Sequence, residues 1–451
     1  MSVKSHSLVY EGPMAYRGIP GLMFWITVFS LLPLAALFGG MAILIMILAV
    51  AMAVFVWARP HEAVTTGMLY LFACSVVLPS SARMDGLGND NSEMSYWAVG
   101  LLIITAAAVA RIGLRRVVAV PLSVKVFLTV AFASAVYGEM HGAAMSYVLR
   151  QLYGVLLLIV YFGIAFHAGN EELLLRRIRT IGVVCAFCFF VYYVAVFGEY
   201  GFHKEMNVSG SQACLLAIIL FITGAERKRP LWVLGGIALS LLPVLVFQRS
   251  GVLTFLVSLP TALAMKLRSK KLRLLCWSAA VLVALPALYP PLAQTVIDTI
   301  SRISVIERNL PSGTVDAQTL YERGLQLEAA TSTVRAHPWL GEGLGSAFEW
   351  DSPTLGFLRG AYVDSGWGYL LQKMGLLGAA TFLWFLITVL RGVSRQSVAL
   401  SACLLSVTFV GCFSQPVFFH FTTAPFIGTI TGMLCANRWN LPAVTIAKPQ
   451  I

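Results

Sequence analysis

The chain has 451 residues, of which 58% are hydrophobic and 12% charged. A soluble domain carries about 25% charged residues, so this composition excludes an ordinary water-soluble globule and assigns most of the chain to lipid. The formal net charge of +12 does not point to nucleic acid, because the basic residues stand in short clusters between apolar runs and no motif that reads RNA or DNA accompanies them.

Taken in order, a polar stretch over 1–20 reads as a cytoplasmic tail. The apolar run that follows has no small-residue cleavage pattern, so no cleavable signal peptide is expected. Apolar runs of spanning length then recur at about 22–38, 41–58, 62–80, 94–110, 119–137, 148–166, 180–198, 210–225, 230–247, 251–267, 274–291, 366–390, 397–414 and 421–436. The first two meet so closely at Gly39 and Gly40 that they also read as one kinked element. The fold class expected is all-α, a polytopic membrane protein of roughly 12–14 transmembrane helices. Spans 1–11 fill 21–291, a long loop occupies 292–365, spans 12–14 fill 366–436, and a cytoplasmic tail covers 437–451.

Orientation follows from the basic clusters: Arg111, Arg115 and Arg116; Arg176, Arg177 and Arg179; Arg227, Lys228 and Arg229; Arg268, Lys270, Lys271 and Arg273; Arg391 and Arg395. Lysine and arginine accumulate in cytoplasmic loops. From Arg111 onward two spans separate successive clusters, which puts 81–93, 138–147, 199–209, 248–250 and 292–365 outside and both termini inside. The loop with Asp85, Asp90 and Glu93 is then external and solvated. All eight cysteines lie within or beside apolar runs, and the spacing of Cys185 and Cys188 reads as buried packing rather than a redox pair.

The segment 292–365 breaks the short-loop pattern, and connections beyond about 15 residues are usually functional or internally structured. From Gln318 to Ala336 the pattern is helical, with Leu320, Leu327, Ala330 and Val334 as its apolar positions. Pro338 disfavours helical geometry at His337, and Gly341, Gly343 and Gly345 follow. His337 is therefore expected at a helix C-terminus, before small, flexible residues that let a substrate approach the backbone. Imidazole is suited to general-base chemistry near neutral pH. Spacing alone also fits a surface or helix-capping histidine.

Arg249 stands at the outer mouth of a span. A charge inside a span costs about 2.5–3.5 kcal/mol, reduced at an interface by snorkelling. It reads as an interfacial anchor or as a guanidinium gripping a diphosphate in a bidentate fork. Arg323 lies about 21 Å from His337 along a continuous helix at 1.5 Å per residue. It would bind another part of a long substrate or pair with Glu322 or Glu328. Arg150, near the outer end of its span, has a similar but less specific claim. No P-loop, HExxH or Cys/His metal pattern is present in the sequence, and neither a metal nor a cofactor is expected.

The stretch His337-Pro338-Trp339-Leu340-Gly341-Glu342-Gly343-Leu344-Gly345-Ser346-Ala347-Phe348 resembles the HPxxGxGxxxF signature of the O-antigen ligase and polysaccharide polymerase superfamily of bacterial membrane proteins. Asp364-Ser365, the aromatic–leucine element Tyr369-Leu370-Leu371, and Gly375-Leu376-Leu377-Gly378 continue the resemblance downstream, and Gln248-Arg249-Ser250-Gly251 resembles an upstream family element. It implies a metal-independent membrane glycosyltransferase at the outer face of the bacterial inner membrane. The donor would be an oligosaccharide on undecaprenyl diphosphate, and the acceptor a second glycan or lipid A–core. His337 would be the general base, with Arg249, Arg323 and Arg150 as substrate-binding residues. Membrane lipids and other polysaccharide assembly proteins are implied partners. Asp364-Ser365 and the span count lean toward a polymerase over a ligase. A transporter or flippase remains the alternative of another class, although no internal repeat of the kind such folds favour is evident.

Overall fold

The computed structural model describes residues 41–77, 96–168, 182, 210–245, 249–288, 328, 332–352, 356–360, 365–393, 397–411, 418–420 and 423–439. The expected span 22–38, all of 180–198 except Gly182, the N-terminal tail, residues 440–451, Cys185, Cys188 and Arg323 lie outside these residues, while 437–439, expected in the C-terminal tail, continue the last helix.

Most of the described residues are helical. The principal helices are α1 Met41–Ala58, α2 Ala63–Val77, α3 Tyr96–Ile112, α4 Leu122–Met140, α5 Met145–Ala168, α6 Gly210–Glu226, α7 Pro230–Leu245, α8 Arg249–Lys266, α9 Lys270–Leu288, α10 Gly366–Leu390, α11 Val398–Ser406 and α12 Ala424–Trp439. Each falls on a run whose hydropathy marks it as lipid-soluble. The helices α4, α5 and α10 are both long and apolar enough to cross a bilayer, and six shorter apolar helices accompany them. The all-α membrane class stands. One element departs from it: a two-stranded antiparallel ribbon, β1 Phe348–Ser352 paired with β2 Gly356–Gly360, inside the long loop. Hydropathy gives no signal for so short a ribbon.

Most of the core is one apolar cluster that includes residues of α1 and of α12, and a smaller cluster of Val257, Ala280 and Val410 packs α8 against α9. The aromatic centre of the larger cluster is formed by Phe127, Phe162, Phe382, Phe385 and Phe419, with ring centroids 5.1–6.2 Å apart. Outward-facing Leu, Val and Ile side chains on α4, α7, α9 and α10 remain exposed, as expected of helices solvated by acyl chains. Helix association in lipid depends on close packing by small residues rather than on a hydrophobic driving force. The α5–α12 contact fits that rule: a Cβ on Gly428 would overlap the Leu158 carbonyl, and one on Gly432 the Phe162 carbonyl. This pair and the α4–α10 pair frame the loop that follows.

Candidate functional site

The site is built on a helix that cannot complete itself. Within α10, Gly375 takes φ 61° and ψ −160°, which breaks the helical ladder. A left-handed residue of this kind is cheap only for glycine. The N–H groups just beyond the break are satisfied from the loop: Leu376 donates to the Pro338 carbonyl at 2.8 Å and Leu377 to the Trp339 carbonyl at 3.1 Å. In return the Gln372 carbonyl accepts from the Glu342 N–H at 2.8 Å. The His-Pro-Trp-Leu-Gly turn and the broken helix therefore supply each other's missing backbone partners.

The second half of the block is clamped against α4 and α5. Leu344 N–H donates to the Ser134 carbonyl at 3.0 Å and lies 3.1 Å from its hydroxyl, while that hydroxyl donates to the Lys373 carbonyl at 2.5 Å. Gly345 N–H donates to the Gln151 side-chain oxygen at 2.7 Å. Gly343, at φ 89°, has no room for a side chain: a Cβ there would overlap the backbone N and Cα of Gly138. Gly341 and Gly345 are buried in the same way, against Gln372 and Val148. The expectation of an open, flexible turn is thus corrected. The glycines do not leave space for a sugar; they let the loop backbone press onto three helices.

His337 sits where the sequence places it, directly after the helical residues 332–336, with its N–H donating to the Thr333 carbonyl at 2.9 Å. Its side chain is exposed, as is Trp339, which is 66% accessible. Beneath the turn buried and half-buried polar groups are linked. Thr333 Oγ1 donates to Glu342 Oε1 at 2.9 Å. Lys373, fully buried, donates its ammonium to the Ser346 carbonyl and to the Ser346 hydroxyl, the latter at 3.2 Å, and feels the charge of Glu342. A lone buried ammonium is costly, and these contacts meet that cost locally.

The other candidate residues distribute unevenly. Arg150 is half-buried on the first turns of α5, between Val148 and Gln151, both of which touch the glycine block. It acts electrostatically on half-buried His420, in the turn before α12. Burial first, and then the Arg150 charge, lowers the His420 pKa to about 4, which leaves that ring neutral at physiological pH. Arg249 is the first residue of α8, and its side chain lies outside the described structure. Among the described residues, the sequence reading missed Lys373, Ser134, Gln151, His420 and His141, whose ring centroid is 6.4 Å from that of His337. Lys373 alone left a signal, a lysine inside an apolar run.

Fold and site together define an α-helical membrane protein whose long loop is locked into the bundle and holds an exposed histidine at its edge. Residues 234–383 match the family model for O-antigen ligase. That match spans α7 to the middle of α10 and contains the entire glycine block, so over this segment the chain is similar to the O-antigen ligase family. The family implies a glycosyltransferase-like ligase or polymerase that uses lipid-linked glycan and acceptor substrates. No curated protein matches the chain.

Two substitutions test the clamp. Gly343→Ala should lose the left-handed preference, at about 1–2 kcal/mol, and also overpack Gly138, at about 1–3 kcal/mol more. Gly113, at φ 94° with nothing within 4 Å of where a Cβ would stand, incurs only the first cost, so Gly113→Ala should be the milder change in detergent unfolding. Equal losses would mean that the turn is not pressed onto α4. For the buried charges, Lys373→Met alone should destabilise strongly, on the order of 3–5 kcal/mol. The double variant Lys373→Met/Glu342→Gln should lose less than the two single losses added together; strict additivity would show that the two side chains are not coupled.

Proposed function

We propose that the chain is an integral-membrane glycosyltransferase that polymerises polysaccharide repeat units at the outer face of the bacterial inner membrane. The donor is a glycan on undecaprenyl diphosphate. The acceptor is a sugar hydroxyl of the next lipid-linked repeat. The observation carrying this reading is the position of His337: exposed, at the end of a helix, on a turn rigidly attached to the bundle, within the segment matched to O-antigen ligase.

In the proposed step the acceptor oxygen forms a bond to the anomeric carbon while the bond from that carbon to the diphosphate oxygen breaks. The diphosphate leaves with the electron pair, and the acceptor's proton passes to His337 as general base. The developing negative charge needs cationic partners. Arg249 is assigned to the diphosphate, with Arg150 and Arg323 as further glycan or phosphate contacts. Arg150 lies at the same end of the bundle as the glycine block, which supports its assignment. The sugar–diphosphate bond supplies the driving force, so no nucleotide is needed. The loop 292–365 faces outward in this reading, consistent with the basic clusters on the opposite side.

The description of the matched family favours a second reading, a ligase that transfers the glycan to lipid A–core. Asp364-Ser365 before the aromatic–leucine element favours the polymerase. Incubating purified protein with lipid-linked repeats alone separates them, because a polymerase lengthens the glycan whereas a ligase needs lipid A–core added. In the productive assay His337→Ala should reduce transfer about a hundredfold to ten-thousandfold with little change in unfolding, since an exposed loop side chain contributes within about 0.5 kcal/mol. Arg249→Lys should also lose most activity at normal abundance, because lysine cannot form the planar fork. Near-normal transfer by His337→Ala would remove the general base from this mechanism.

A further inference from the structure

His141 is the residue that the bundle brings to His337. It caps α4, with its backbone N–H donating to the Tyr137 carbonyl at 3.2 Å and to the Gly138 carbonyl at 3.1 Å. The helix then ends through Gly142 at φ 84°, a left-handed cap of the usual kind. The contact that clamps the glycine block, Gly138 against Gly343 and Leu344, lies three residues before His141 and six after His337. One interlock therefore fixes both histidines. Both are exposed, and their rings meet edge to face at 67° with centroids 6.4 Å apart.

The chemistry of His141 is set by its other nitrogen. Nδ1 lies 2.8 Å from the Tyr137 carbonyl oxygen. A carbonyl only accepts, so Nδ1 carries the proton and donates it. In the neutral ring Nε2 is then left with a lone pair. The Tyr137 ring, with its centroid 4.0 Å from that of His141, supports this orientation. At 6.4 Å between centroids the two histidine rings are edge-to-face neighbours, so two adjacent hydroxyl groups of one ligand can reach both rings, each over a hydrogen bond of about 2.8 Å. Neighbouring hydroxyls on a sugar ring supply two such groups side by side.

We infer that His141 is a second acceptor-binding residue of the transferase site, with its Nε2 accepting a hydrogen bond from the hydroxyl adjacent to the one that His337 deprotonates. This inference rests on the transferase reading above and adds a substrate class: the acceptor carries a vicinal pair of free hydroxyls. Only the attacking hydroxyl loses its proton in the step. The neighbouring one keeps its proton and donates it to His141, so the balance of the reaction is unchanged. His141 then sets acceptor affinity and orientation, while His337 sets the rate of chemistry.

Two isosteric substitutions separate the ring's functions. Asparagine places an amide where Nδ1 stands and can keep the bond to Tyr137, but it has nothing at Nε2. Glutamine reaches the Nε2 position with an acceptor oxygen. The full-length protein is assayed with lipid-linked glycan extracted from the source cells, serving as donor and acceptor and titrated over a wide range. His141→Asn should raise the apparent KM for this glycan about tenfold, the consequence of one lost hydrogen bond, with kcat within about threefold of the parent. His141→Gln should restore KM to within about threefold. If Asn behaves as the parent and Gln does not, His141 is only a helix cap and the inference fails. If both lower kcat at unchanged KM, His141 is not an acceptor-binding residue and the inference fails as well. Failure of the transferase reading registers separately, as normal turnover in His337→Ala or as absent transfer in the parent protein.

Discussion

Inside a bilayer a backbone N–H without an acceptor has no water to turn to, and each such group costs several kcal/mol. The helix Gly366–Leu390 is broken at Gly375 and would carry that cost at Leu376 and Leu377. It does not, because the Pro338 and Trp339 carbonyls take those two protons, and the Gln372 carbonyl takes the Glu342 proton in exchange. Neither the loop nor the helix is complete without the other. A break in a spanning helix is tolerated only where protein buries it, and here the burying element is the segment that carries the candidate base.

The rest of the site follows from that exchange. Once the turn is docked, its glycines lie against Gly138, Gln372 and Val148, and Leu344 and Gly345 find acceptors on Ser134 and Gln151. The buried lysine one turn from the docked loop is held by Ser346 and faced by Glu342, whose other contact, Thr333, lies on the helical turn that ends in His337. Hydrogen-bonded and charged groups thus form a continuous support below the histidine, while the ring itself stays in solvent. A reactive group needs this combination: freedom to meet substrate, and a base that moves little when it does.

Hydropathy makes most of the fold legible in the sequence. The runs at 41–58 and 366–390 coincide with Met41–Ala58 and Gly366–Leu390, and the other described helices start or end a few residues from their runs, where apolar and interfacial residues mix, as at 119–137 against Leu122–Met140. His337 is legible as a helix end because Pro338 acts locally on the residue before it. The meaning of the glycines is not legible. Flexibility and close packing use the same residue, and the partners that decide between them are distant in sequence: Ser134 lies 210 positions from Leu344, and Gln151 lies 194 from Gly345. His141 escapes for the same reason, since only the tertiary contact makes it a neighbour of His337. The ribbon Phe348–Gly360 is too short to leave a periodic trace.

The interlock between loop and broken helix is measured most directly by amide hydrogen exchange on the detergent-solubilised protein. The informative amides are Glu342, Leu344, Leu376 and Leu377. Leu376 and Leu377 have exposed side chains, 48% and 42% accessible, so burial of their side chains would not slow them. The expected result is protection of all four comparable to that of the central turns of Met145–Ala168, because their protons are held by partners that only the docked state provides. Rapid exchange at Leu376 and Leu377, with Met145–Ala168 still protected, would contradict the docking of the turn and with it the fixed position of His337.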